Sequence, residues 1–320
     1  MRVAVVGAGL AGLAAARELA ESGHEVVVLE KSRGLGGRLA ARRAEGTVLD
    51  HGSPAIAAPP GSALRALADA LAADDRVELE DGIAYRSGAT RLPKLMAEGL
   101  EVVTGVRLAA LREAGGGLEL GDEQGNTHGI ADAVVVTAPA PQAADLLERS
   151  PEAPGRVAAL RALAYEPAVM VLAGVRLEAV PRWTVARPDA GLLAEVRSEA
   201  AKRRAPAGGV APFVARLRPA ESAALLDASD AAALERVLPA LAELLGPAAA
   251  EPAWVQVKRW RFAVPRGRLQ PEHVGPPGSR IVLAGDSVTG ASFGGAGHAS
   301  VFDSGVQAAR RIMAAALAAA

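Results

Sequence analysis

The chain has 320 residues, half of them hydrophobic, a formal net charge of −1 and no cysteine. That is enough apolar material for one large core or two moderate ones, and it excludes disulfides, thiolate metal sites, thiol nucleophiles and a cysteinyl-linked cofactor. The near-neutral charge and the 3% aromatic content offer neither a field nor a stacking platform for nucleic acid. No apolar run is long enough for a membrane span, and glycines with Arg17, Glu18 and Glu21 break the N-terminal run, which does not suit a signal peptide. The expectation is a cytoplasmic protein without a metal, acting on a small molecule.

The first stretch, Met1 to Arg38, organises the rest. An apolar β-branched run, Val3 to Val6, enters Gly7-Ala8-Gly9-Leu10-Ala11-Gly12. A helix-patterned stretch follows from Leu13 to Ser22, and a second apolar run, Val26 to Leu29, ends on Glu30. Strand, glycine turn, helix, strand and acid are the parts of a βαβ dinucleotide-binding unit. Gly7 permits the tight turn, Gly9 lets a pyrophosphate approach the backbone, and Gly12 lets the helix pack close to the sheet. The helix start at Leu10 and Ala11 offers unpaired N–H groups to the phosphates. Glu30, 18 residues past Gly12, is spaced to accept from ribose hydroxyls and would repel a 2′-phosphate.

A second glycine cluster follows in Lys31-Ser32-Arg33-Gly34-Leu35-Gly36-Gly37-Arg38. A plain NAD-binding unit does not need it. A flavin-binding one does, because the chain must pass the cofactor at close range, with Gly37 beside it and Arg38 placed to meet the pyrophosphate. The string GAGLAGLAAARELAESGHEVVVLEKSRGLGGR resembles the N-terminal signature of the FAD-dependent amine oxidase superfamily. Leu49-Asp50-His51-Gly52 resembles the D-x-G turn that sets backbone beside the isoalloxazine in the renalase-like branch, so Asp50 and Gly52 join the cofactor candidates. That branch continues with Ala-Gln and two aromatic or apolar residues, whereas this chain reads Ser53-Pro54-Ala55-Ile56. His51 either lines the flavin site or is a hydrogen-bonded turn histidine.

Ser62 can cap a helix from Ala63 to Ala73. Val77 to Leu79 and Ile83 to Tyr85 alternate like the strands of a hairpin about Asp81-Gly82. The stretch from Asp50 to Gly88 is short for the family, which implies a reduced lid. Gly88 to Met96, then Leu100 to Val103 and Gly105 to Leu108, resemble the return from the substrate domain, a short helix and a strand whose backbone touches the adenine at Val106. Strands are expected at 108–112 and 117–120 with a Gly125-Asn126 turn. A buried strand from Asp132 to Pro139 and a helix from Gln142 to Arg149 follow.

Strands dominate from Ala164 to Arg218, and Lys202-Arg203-Arg204 reads as a solvated loop. Helices are expected from Glu221 to Leu226 and from Ala231 to Leu245. Val255 to Ala263 is a strand with an aromatic end that resembles the W-x-aromatic-A element returning to the flavin, and Trp260 is either core or flavin wall. Ile281 to Asp286 is the last core strand, and Gly285-Asp286 resembles the carboxylate that accepts from the ribityl chain. A glycine-rich loop, Gly290 to Gly297, with Gly295 and then His298, delivers a helix from Ser300 to Leu317 whose start can face the flavin.

The resemblance implies an α/β protein with a Rossmann-like FAD-binding domain and a second α+β substrate domain, the two-domain architecture of amine oxidases and p-hydroxybenzoate hydroxylase-like proteins. The FAD-binding domain takes residues 1–60, 98–160 and 275–320, and the substrate domain takes 61–97 and 161–274. It also implies non-covalent FAD, with His51, Trp260 and His298 as candidates for the flavin face. The lysine of true amine oxidases falls at Ala168 here with no lysine near. That points to the renalase-like branch, which oxidises dihydronicotinamide isomers by hydride transfer to FAD and passes the electrons to oxygen. An amine oxidase or desaturase, and a flavin-binding protein with little turnover, remain as alternatives.

Overall fold

The structure is a computed structural model that describes residues 1–70, 73–150, 154–202, 204, 208–290 and 297–319. In chain order the first elements are β1 (Arg2–Val6), α1 (Leu10–Glu21), β2 (Glu25–Glu30), β3 (Ala41–Ala44), β4 (Thr47–Asp50), α2 (Ala63–Asp69), β5 (Arg76–Leu79), β6 (Gly82–Tyr85), α3 (Arg91–Met96) and β7 (Glu101–Thr104). Then come β8 (Leu108–Ala114), β9 (Gly117–Asp122), β10 (Thr127–Ala131), β11 (Ala133–Val136), α4 (Ala140–Leu147), α5 (Pro154–Ala162), β12 (Tyr165–Arg176), β13 (Val185–Ala186), β14 (Leu193–Ser198) and β15 (Val210–Leu217). The chain closes with α6 (Pro219–Leu225), α7 (Asp230–Leu245), β16 (Trp254–Pro265), α8 (Pro271–Val274), β17 (Ile281–Leu283), α9 (Asp286–Thr289) and α10 (Gly297–Ala319).

Five parallel strands in the order β17-β11-β1-β2-β7 form the first sheet. Val3, Ala4 and Val5 of the central strand are wholly buried, as an apolar run covered by helices on both faces requires. The register pairs Val5 with Val28 on one side and with Val135 on the other. The turns after β1 and β17 therefore open at the same edge, the carboxyl end of the strands, where an α/β sheet binds its ligand. On α1, Leu13 and Leu19 are fully buried; each contributes about 1.5–3 kcal/mol of apolar transfer. Helix α10 lies against α1 so closely that a Cβ on Gly305 would fall 2.0 Å from the carbonyl oxygen of Ala11.

The second sheet is antiparallel, in the order β13-β14-β15-β12-β16. Its long strand β12 alternates with period two. Val169, Val171 and Ala173 pack with Phe213, Ala215 and the α7 residues Val237 and Leu241. Ala168, Met170 and Leu172 face the other way and pack with Ala44 and Leu49 of the β3–β4 hairpin and with Trp260. The hairpin is thus the part of the first domain that the second sheet grips.

Within 61–97, Leu64, Ala68, Ile83, Tyr85, Leu92 and Met96 are buried in the same hydrophobic cluster as the strands of the parallel sheet. Two expectations change. Helix α2 ends at Asp69, four residues earlier than expected, and is capped by the Ser62 hydroxyl accepting from the Arg65 N–H. Lys202 and Arg204 are not on a solvated loop: they are 2% and 6% exposed. Lys202 Nζ reaches Asp50 and Glu199 carboxylate oxygens at 2.8 Å each. Arg204 pairs with the same two acids and donates to the carbonyls of Val48, Tyr85 and Arg86. Two acids and two bases compensate one another there, which is the condition for burying charge.

Candidate cofactor and substrate cleft

A cavity of about 1250 Å³ runs from the glycine turn after β1 to the face of the second sheet. Its wall includes Gly7, Gly9, Leu10, Ala11, Glu30, Lys31, Gly37, Arg38, His51, Val106, Trp260, Gly285, Asp286 and His298. Candidates separated by almost 300 positions therefore meet in one space. Gly12, Asp50 and Gly52 do not line it. Gly295 lies outside the described residues.

The glycine-turn end is built for a dinucleotide. Gly7 has a φ of +104°, which L side chains rarely adopt. A Cβ on Gly12 would sit 1.9 Å from the Gly7 carbonyl oxygen, so Gly12 works by letting α1 pack against the turn. A Cβ on Gly9 would meet nothing within 4 Å and would project into open space, where a pyrophosphate needs room. Glu30 is buried, and its carboxylate oxygens accept from the Ala8 N–H at 2.8 Å and the Ser32 N–H at 2.7 Å. Each oxygen keeps a lone pair for a ribose hydroxyl. Val106 lies between β7 and β8 rather than in a strand. Its N–H donates to the Glu30 carbonyl at 3.0 Å, so only its carbonyl remains to meet an adenine. Lys31 Nζ donates to Gln142 at 2.8 Å on the same rim.

In the middle of the cleft, Arg38 Nη2 lies 2.5 Å from Asp286 Oδ2. Asp286 is 2% exposed; Arg38 takes its Oδ2, while Oδ1 accepts no hydrogen bond from a described residue. A buried carboxylate with open acceptor positions on a cavity wall suits a polyhydroxyl chain, which donates without bringing charge. Asp286 is not the end of a strand, as expected, but opens α9 after β17 ends at Leu283. These features fit FAD: Gly7, Gly9, the start of α1 and Arg38 would meet the pyrophosphate, Glu30 the adenosine ribose, and Asp286 the ribityl segment.

The Asp50-His51-Gly52 turn divides its work differently from expectation. Asp50 turns into the domain junction and its carboxylate takes the N–H of Ala89 at 2.8 Å as well as its ion pairs. Burial alone would raise its pKa, but Lys202 and Arg204 outweigh burial and hold the carboxyl below its usual range. Gly52 supports Arg38: a Cβ there would fall 2.0 Å from the Arg38 carbonyl oxygen, which accepts from the Ser53 N–H at 2.7 Å. His51 does face the cleft. Its ring stacks on Trp260 with centroids 5.6 Å apart, and the Trp260 Nε1–H donates to the His51 carbonyl at 2.8 Å. Burial, then the charges of Lys258 and Arg42, push the His51 imidazole down to about 4, so it is neutral at physiological pH.

His298, in the first turn of α10, is buried, and its Nδ1 accepts from the Ala57 N–H at 3.2 Å. It ties α10 to the segment after the hairpin. The expectation that no lysine is near the substrate end is corrected. Ala168 does pair with Trp260, but Lys258, two positions before Trp260, lines the cleft along with Arg42. Strand alternation carried that signal, since residues two apart share a face.

Comparisons with known proteins bear on the family. Residues 5–71 match the NAD(P)-binding Rossmann-like domain family, and residues 70–313 match the family described as flavin containing amine oxidoreductase. The chain is 47% identical over 60 residues to a 4,4'-diapophytoene desaturase (4,4'-diaponeurosporene-forming) of Staphylococcus aureus, covering 19% of this chain and 12% of that protein. It is 43% identical over 105 residues to the AofH protein of Mycobacterium tuberculosis, named as a flavin-containing monoamine oxidase, covering 31% of this chain and 23% of that protein. The matched segments thus span less than a quarter of either curated relative. In fold, the chain superposes on putrescine oxidase bound to putrescine with a TM-score of 0.71 at 17% identity, over 98% of this chain and 99% of that one. For cyclohexylamine oxidase from Brevibacterium oxydans the TM-score is 0.68 at 15% identity, over the whole of both chains. No helix among the described residues is long and apolar enough to cross a membrane. The dinucleotide turn, the two-domain fold and the match across most of the length place this chain in the flavin-containing amine oxidoreductase family, with FAD as its cofactor.

Proposed function

We propose that the protein is an FAD-dependent oxidoreductase of the renalase-like kind, which oxidises a small reduced substrate such as a dihydronicotinamide isomer and passes the electrons to oxygen. The observation that carries this reading is the charge of the cleft's far end. The lining carboxylates among the described residues are Glu30, Asp145 and Asp286. Glu30 serves the glycine turn, Asp145 sits on α4, and Asp286 faces Arg38. The end bounded by His51 and Trp260 instead carries Lys258 and Arg42. An amine arrives as a cation and finds no acceptor there, whereas a dihydropyridine is pushed by its own ring nitrogen and needs no protein base.

FAD supplies the two-electron acceptor when bound. The chain's own residues hold and orient: Glu30 and Asp286 fix the cofactor's hydroxyl-bearing parts, and the indole of Trp260 walls the reaction space and keeps water from it. His51, kept neutral, holds Trp260 in place without adding a charge. An amine oxidase or a desaturase is the second reading, favoured by the names of the two curated relatives. Anaerobic mixing of the FAD-loaded protein with dihydronicotinamide isomers and, separately, with a panel of amines separates the two. Fast loss of oxidised-flavin absorbance with the isomers and none with amines is the expected result; the reverse would sink the proposal.

A further inference from the structure

We propose that Lys258 and Arg42 form an anion-binding subsite, which selects substrates carrying a carboxylate or phosphate and turns away their amine counterparts. The inference rests on reading the Trp260 end of the cleft as the substrate chamber.

Lys258 comes from the second domain's edge strand β16, and Arg42 from the first domain's hairpin strand β3. Both line the cleft. Several charged side chains around these two are matched. Next to Lys258, Arg259 pairs with Asp230 at 2.5 Å, Arg261 pairs with Asp227, and across the cleft Arg38 meets Asp286. Lys258, half-buried, and Arg42, exposed on the hairpin, make no ion pair with a described residue, and Arg33, Arg43 and Lys94 of the same lining add further positive charge without one. Burial and then the Arg42 charge hold the Lys258 ammonium below its ordinary range. Asp230 acts in the other direction more weakly, and its carboxylate is already taken by Arg259.

Two like charges from different domains, converging on one cavity without a counter-ion, make a site whose favourable occupant is an anion. The neighbours suit that occupant. Trp260 and neutral His51 give a flat, uncharged surface for a planar ring beside the two cations, so a ring bearing an anionic substituent satisfies both. A ring bearing an ammonium meets repulsion from Lys258 and Arg42 and finds no acceptor.

Three pyridines of nearly equal size test this on the FAD-loaded enzyme: nicotinate, nicotinamide and 3-picolylamine, which carry a negative, a neutral and a positive substituent. Inorganic phosphate serves as a separate arm that distinguishes phosphate from carboxylate recognition. Binding is read by perturbation of the flavin spectrum and by calorimetry, and FAD content is measured in parallel. The expected order is nicotinate tightest and 3-picolylamine weakest. Lys258→Met should weaken nicotinate roughly tenfold, the scale of one charge-assisted hydrogen bond, and leave nicotinamide unchanged. Lys258→Glu should reverse the order of nicotinate and 3-picolylamine, and Arg42→Gln should flatten it. Equal binding of all three by the wild type would overturn the subsite, and so would a Lys258→Met enzyme that loses FAD rather than anion affinity. Failure of dihydronicotinamides to reduce the flavin would sink the hydride-donor reading and leave this order of affinities standing. A flat order would sink the subsite whatever the reductant.

Discussion

Trp260 grips His51 twice, ring on ring at 5.6 Å and indole N–H to backbone carbonyl at 2.8 Å. One residue belongs to the returning strand of the second domain and the other to the turn that ends the β3–β4 hairpin. Trp260→Phe keeps the stacking surface and removes the donor. Expected is a loss of about 0.5–1.5 kcal/mol in stability, the worth of one hydrogen bond, together with a shifted flavin absorbance band. Urea denaturation and the visible spectrum of the loaded protein measure the two effects.

His51 titrates against the fold. Its pKa is near 6.5 when unfolded and about 4 when folded, so below 6.5 the unfolded chain takes the proton that the native site refuses. Its contribution is fully present above pH 6.5 and is lost as the pH falls toward 4. The cost by pH 4 is at most about 3 kcal/mol. His51→Gln should therefore flatten the fall of the denaturation midpoint between those pH values. An unchanged slope would show that other groups cause the acid sensitivity.

Gly12→Ala places a methyl against the Gly7 carbonyl, in backbone that has little freedom to move. A loss of about 1–3 kcal/mol is expected, with α1 pushed off the turn and FAD retained poorly. Gly9→Ala is the informative partner, because its methyl points into open space. It should leave apoprotein stability nearly unchanged and weaken FAD alone. Thermal unfolding of the apoprotein and equilibrium dialysis with FAD separate the two variants.

Lys202→Met leaves Asp50 and Glu199 sharing Arg204 alone, with one negative charge buried without compensation. The expected loss is about 3–5 kcal/mol. The acid limb moves as well. The depressed Asp50 pKa contributes stability above the usual carboxylate range and gives it up as the pH falls. Without Lys202 that decline should begin at higher pH, which unfolding curves between pH 3 and 7 would register.

The dinucleotide half was legible because its parts are local in the chain. The glycine turn, α1 and Glu30 lie within one βαβ unit, where spacing alone decides the geometry. The second sheet was legible as strands, because alternation is also local. The Asp50–Glu199–Lys202–Arg204 junction was not. A basic run reads as solvated unless its partners are known, and Asp50 stands 152 positions from Lys202. The packing of Leu64 and Tyr85 with the parallel-sheet core was not legible for the same reason, because no short stretch records it. Lys258 was recoverable, since the strand that carries Trp260 puts it on the same face.

The buried junction also bears on how this architecture can be recombined. The hairpin that ends in Asp50 is chemically incomplete until the segment from Glu199 to Arg204 closes over it. A chimera that grafts a foreign substrate module onto this flavin module inherits an orphaned acid at the seam unless those few residues travel with it. Exchange between relatives is thus constrained less by the catalytic face than by four charges that never meet a substrate.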